Sequence, residues 1–237
     1  MKRTFYPIII SLYCFACLNG QDYSAMLVGN IHGDYYIWET KSHKFKLYHS
    51  LVKSGPDAEI LVRTDPGAAL LKNERTEQII LLGDRIVLIT SRYKKITDKQ
   101  SLYYRFIDQA TMVPEKEQHI LTEPPPPENR STLSGTYTFS VSPDRTRLMV
   151  VREFAPNVFK ARPKIFEISV FDEDLNLIWD KKETLTVTDK QFKPQSYLVD
   201  SAGDVVIMGR AKYDKDTVDT KLLRNFALLE YTENGQR

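Results

Sequence analysis

Three aspartates set the frame for this chain. Asp84, Asp144 and Asp204 stand 60 residues apart, and each lies between two short apolar runs rich in β-branched residues. Later in the unit, Asp108 and Asp172 each end a third such run, 64 residues apart, and Tyr231 holds the corresponding place in the last unit. The longest loop of each unit falls between its second and third runs. Turn residues recurring at a fixed distance, between runs too short for helices, require one strand-and-turn unit built several times over and stacked on its own copies.

The runs read as four groups of short strands. AMLVGNI, YYIWET, KFKLYHSL and EILVRT form the first, closed by the turn Asp65-Pro66-Gly67. EQIILL, RIVLITSRY, SLYYRFID and KEQHIL form the second. Four prolines then interrupt, at 124–127; they cannot donate to a sheet and suit a stiff loop between units. In the third group, residues 139–185, the turn Ser142-Pro143-Asp144-Arg145 joins two strands, and KIFEISVFD turns Phe166, Ile168 and Val170 to one face. Leu175, Leu177 and Trp179 are expected to share a face of the next strand. The fourth group holds SYLVD, VVIMGRAKY and RNFALLEY, and its fourth strand is missing. The expected fold is all-β: a β-propeller or partial propeller of about four four-stranded antiparallel blades, with the last blade incomplete. The expected blades cover 23–66, 76–123, 133–187 and 195–237, with truncation at the C-terminus.

The phrase Phe139-Ser-Val-Ser-Pro-Asp-Arg-Thr-Arg-Leu resembles the strand–turn–strand signature of TolB-like and related WD40-like β-propellers, with Thr146 where glycine is usual. VFDEDLNLIWDKKETL, together with the N-terminal segment, is similar to secreted propeller proteins of Bacteroidetes-type bacteria. Blades rather than catalytic residues define such families. The resemblance implies a propeller fold, export and a binding or scaffolding role, and brings no active site with it.

The N-terminus reads as an address. Lys2 and Arg3 precede an apolar run from Tyr6 to Leu18, and Asn19-Gly20-Gln21 follows, which is the pattern of a secretory signal peptide over residues 1–20. Lipoprotein processing at Cys17 and an uncleaved anchor are the alternatives. Both cysteines, Cys14 and Cys17, fall inside this segment, so the mature chain is left without a disulfide or a thiol nucleophile. Of 33 basic and 31 acidic residues, only Lys2 and Arg3 leave with the signal, which balances the charge. Balance of this kind argues against a nucleic-acid partner, and no later apolar run is long enough for a membrane span.

Candidate chemistry is sparse. Asp172-x-Asp174-x-Asn176, with Asp180 and Glu183 behind it, follows the oxygen spacing of a calcium loop, but Leu177 occupies the position that needs glycine. A hairpin turn explains the same residues. The repeated aspartates fit Asx-type turns better than catalytic carboxylates, because equivalent positions in successive blades are far apart. His32, His43, His49 and His119 lack metal-ligand spacing, although a single strand through His43 and His49 would place both on one face. Arg92, Tyr93 and Lys94 in the second unit, and Lys212 and Tyr213 in the fourth, occupy matching places and are candidates for a ligand-binding rim. The reading at this level is an exported, non-enzymatic binding or scaffold module without a cofactor, with a protein or carbohydrate partner. The alternative is a propeller enzyme, or the propeller part of a larger glycosidase or peptidase.

Overall fold

The repeat becomes four antiparallel sheets in the computed structural model, which describes residues 23–43, 46–94, 99–123, 135–154, 162–211, 225–233 and 235–236. The proposed signal peptide and the proline run lie outside these residues. Blade 1 holds β1 (Tyr23–Ile31), β2 (Asp34–His43), β3 (Lys46–Ser54) and β4 (Ile60–Thr64). Blade 2 holds β5 (Glu74–Leu82), β6 (Arg85–Lys94), β7 (Lys99–Ile107) and β8 (His119–Thr122). Blade 3 holds β9 (Gly135–Val141), β10 (Leu148–Phe154), β11 (Pro163–Phe171) and β12 (Leu177–Thr188). Blade 4 holds β13 (Phe192–Val199), β14 (Val205–Ala211), β15 (Asn225–Thr232) and a two-residue β16 (Gly235–Gln236). In every sheet the strands lie in chain order.

The first strands run next to one another: β1 touches β5, β5 touches β9 and β9 touches β13. Blades therefore radiate from a shared inner line, which is the β-propeller arrangement. An interior blade is covered on both faces, so adjacent residues along its middle strands are apolar and alternate between two interfaces. Leu148 and Val150 pack towards blade 2, while Met149 and Val151 pack towards blade 4. Phe166, Ile168 and Val170 all turn to the blade 4 side, as the alternation predicts.

The next three apolar positions do not share a face. Leu175 sits in the turn with φ +63 and packs towards blade 2, Leu177 is exposed, and Trp179 packs towards blade 4. A register shift between Val170 and Phe171 breaks the alternation there. His43 and His49 also fall on separate strands, β2 and β3, rather than on one.

One glycine sets how closely two layers approach, and a second how closely side chains of one layer pack over its neighbouring strand. A Cβ on Gly29 would lie 2.4 Å from Leu81 Cδ2 across the first interface. A Cβ on Gly209 would lie 2.5 Å from the Phe192 ring, which packs edge-on against Phe166 with centroids 6.3 Å apart. Among the described residues, no helix is long and apolar enough to cross a membrane.

Candidate functional site

Antiparallel order puts the turns between strands one and two, and between three and four, at one end of the blades. The second-to-third loops and the inter-blade links lie at the other. At the turn end, Ser142 Oγ donates to Asp144 Oδ1 at 2.6 Å, and Thr146 donates through its N–H at 3.2 Å and its hydroxyl at 2.9 Å. These donors, Ser142 foremost, hold the Asp144 carboxyl far below its ordinary range. The left-handed residue of the turn is Arg145, at φ +62, and not Thr146. Its carbonyl accepts from Gly83 N of blade 2 at 2.8 Å, and its Nη1 donates to Asn30 O of blade 1 at 3.0 Å. One strained residue thus joins three blades.

The aspartates at 60-residue spacing do not share this role. In blade 4 the accepting carboxylate is Asp200, which receives the N–H of Ala202 at 2.9 Å and of Asp204 at 2.8 Å. In blade 2, Asp84 offers its backbone carbonyl to the Gln109 side chain. Asp108 and Asp172 each collect donors from their own turns. Asp172 Oδ1 accepts from Asp174 N at 2.9 Å and Asn176 N at 2.8 Å, and its Oδ2 accepts from Asn176 Nδ2 at 3.1 Å. Burial raises the Asp172 carboxyl, but the Asn176 and Asp174 donors outweigh it and leave the group lowered. Asp174 is held by Arg85 of blade 2 at 2.8 Å. Asp180 and Glu183 lie away along β12, where Glu183 pairs with Lys181 at 3.1 Å. Among the described residues, no group of three or more His, Cys, Asp or Glu is placed to hold a metal.

A second set of polar groups lies between the blades and was not anticipated from sequence. In the blade 1–2 interface, Glu74 is fully buried and takes both Arg105 guanidinium nitrogens, at 2.5 and 3.1 Å. Thr90 Oγ1 at 2.5 Å, Gln118 Nε2 at 2.8 Å and Leu71 N at 2.8 Å complete its shell. Burial pushes Glu74 up, and the bonds from Arg105, Thr90 and Leu71 overcome it, so the carboxyl stays below its usual value. In the 2–3 interface, the Tyr137 hydroxyl donates to Gln100 O at 3.0 Å, and Arg152 pairs with Glu167 at 3.2 Å. Burial raises the Tyr137 phenol to about 12. In the 3–4 interface, Glu153 takes Lys164 Nζ at 2.5 Å and the Tyr197 hydroxyl. Burial first, then Glu153, pushes that phenol strongly up. Alternation was the only sequence signal for these groups. Arg105 sits two residues from Tyr103 and from Ile107, and all three turn to the same side of β7.

At the loop end, the Arg92 guanidinium lies over the Tyr103 ring, 4.7 Å from its centroid, with Nη2 3.1 Å from the Tyr103 hydroxyl. Tyr93, the next residue of β6, is exposed and projects from the opposite face of the strand. Lys94 ends β6, and Lys212 and Tyr213 lie outside the described residues. The structure therefore places Arg92 and Tyr93 at this end, with their side chains on opposite faces of blade 2.

Comparison with known proteins bears on the fold. No family model and no curated protein matches the chain. Among solved structures it is similar to an α-L-arabinofuranosidase from Lactobacillus brevis, with a TM-score of 0.50 and 11% identity over 91% of this chain and 75% of that one. It is also similar to an endo-arabinase from Bacteroides thetaiotaomicron, with a TM-score of 0.44 and 13% identity over 89% and 75% of the two chains. A thermostable family-43 glycoside hydrolase gives a TM-score of 0.47 and 11% identity over 86% and 70%. The first of these likenesses adds to the strand order in defining a β-propeller; at such identity it speaks to fold alone.

Proposed function

We propose that this chain is an exported β-propeller module that binds carbohydrate at its loop end without cleaving it. The observation that carries this reading is the engagement of six carboxylates among the described residues. Glu74, Glu153 and Glu167 hold cations between blades, and Asp144, Asp172 and Asp200 hold the N–H groups of their own turns. A general base or nucleophile needs a lone pair aimed at substrate, whereas these groups spend theirs on the fold. Tyr93, exposed at the loop end, offers the flat apolar face and the hydroxyl that a sugar ring uses. The segment 1–20, read as a signal peptide, supports a site of action outside the cytoplasm.

A second reading, a glycoside hydrolase propeller, is favoured by the fold likeness to the Lactobacillus brevis arabinofuranosidase. It makes arabinan the first probe to use. Affinity electrophoresis of the full chain through gels containing arabinan, paired with a reducing-sugar assay, separates the two. Binding reads as retarded migration without sugar release, and Tyr93→Ala is expected to weaken it about tenfold. Released sugar would replace the binding reading with the hydrolase one. Free migration without sugar release would remove arabinan as ligand.

A further inference from the structure

The interior interfaces and the two end faces of the blade series are built alike but covered differently. Counting pairs from the first turn, the fourth pair across the second and third strands is Val151↔Ile168 in blade 3 and Met208↔Leu228 in blade 4. Val151 and Ile168 face blade 4 and are both 0% exposed, whereas Met208 is 38% and Leu228 65% exposed. Leu198, on the same side of β13, is exposed as well. The opposite end behaves the same way. The fourth pair of the first two strands is Ile79↔Leu88 in blade 2 and Leu27↔Ile37 in blade 1. Ile79 and Leu88 are buried against blade 1, while Leu27 is 44% exposed and Tyr35, the counterpart of buried Ile86, is 41% exposed.

Each interior interface joins the following face of one blade to the preceding face of the next. Among the described residues, one chain carries the two halves of that same interface uncovered, the following face on blade 4 and the preceding face on blade 1. We propose that a second copy of this chain covers them, its blade 1 seating on blade 4 of the first, so that Met208 and Leu228 meet the partner's Leu27 and Tyr35. The contact continues the interior register, which is why a copy of the chain fits it. It is head-to-tail, so the two copies use different patches, and such contacts grow into rings or open chains. Exposed apolar side chains gathered on a sheet face are the signature of such a surface.

Light scattering coupled to size exclusion, run on the full chain across a hundredfold range of concentration, tests this. The expected result is mass rising in multiples of the 27.4 kDa chain. Leu228→Glu and Tyr35→Glu should each reduce the mass to that of one chain, while circular dichroism keeps the strand signal. A head-to-tail contact makes one further demand. Mixed in equal amounts, the two variants should form a dimer, because L228E retains an intact blade 1 face and Y35E an intact blade 4 face. A wild-type chain that stays monomeric throughout overturns the proposal, as does a mixture that stays monomeric while wild type associates.

Discussion

The blade 1–2 and blade 3–4 interfaces solve one problem with opposite chemistry. Both are apolar sandwiches with a polar group closed inside. Between blades 1 and 2 that group is a carboxylate matched by a guanidinium, Glu74 with Arg105. Between blades 3 and 4, Glu153 shares its oxygens between the Lys164 ammonium and the Tyr197 phenol. A carboxylate held below its ordinary value supports the fold above the unfolded pKa, and that support fades as pH falls through the folded one. A phenol held above its ordinary value supports the fold below pH ~10, and that support fades as pH climbs. The two interfaces should therefore give way at opposite ends of the pH scale. The chain's two tryptophans report on them separately, since Trp38 packs in the first interface and Trp179 in the other.

The heaviest blow to this contrast is Arg105→Ala. It leaves the buried Glu74 charge with neutral donors only, and about 3–5 kcal/mol of stability should be lost in urea unfolding. Phe166→Ala, which opens the apolar part of the other interface, should cost about the same. Lys164→Ala should cost less, about 1–3 kcal/mol, because the Tyr197 hydroxyl still serves Glu153. If Lys164→Ala proves as costly as Arg105→Ala, the two polar groups are equivalent after all.

Titration sharpens the contrast further. In single-tryptophan variants, acid should perturb Trp38 emission before that of Trp179, and alkali the reverse. The interface between them adds Tyr137, with its phenol at about 12. Its contribution is full below pH ~10 and is lost between there and about 12, on the order of 1 kcal/mol at pH 11. Urea midpoints for Tyr137→Phe should therefore fall less between pH 9 and 11 than those of wild type. The smallest effect belongs to the turns. Asp144→Asn should cost under about 1 kcal/mol, mostly through the Ser142 and Thr146 bonds. Asp204→Asn should cost still less, because Asp200 accepts the bonds of that turn.

The blades were legible because two-residue alternation and turn chemistry are local. Phe166, Ile168 and Val170 alternate without interruption and face as read, whereas Leu175, Leu177 and Trp179 straddle a turn and a register shift that no spacing announces. Recurrence of aspartate signalled the turns but not which carboxylate each turn uses. Asp144 serves in blade 3, while in blade 4 the work passes to Asp200, four residues before the repeat position. The buried charges stayed hidden for a different reason. Arg105 and Glu74 are 31 residues apart, and a charged residue in a strand reads as solvent-facing until its partner is known. The candidate rim was visible only as a pair of similar segments, of which Arg92 and Tyr93 fall within the described residues.

Arg145 carries a consequence for the order in which the molecule assembles. Each blade's hairpins close over short loops and can form as local events, but the bond from Arg145 to Asn30 spans 115 residues. It cannot close until blades 1, 2 and 3 already stand around their common line, and loop entropy makes such a closure slow. The bond therefore acts as a latch set late in folding. Its loss should appear chiefly as faster unfolding, with the rate of folding left nearly unchanged.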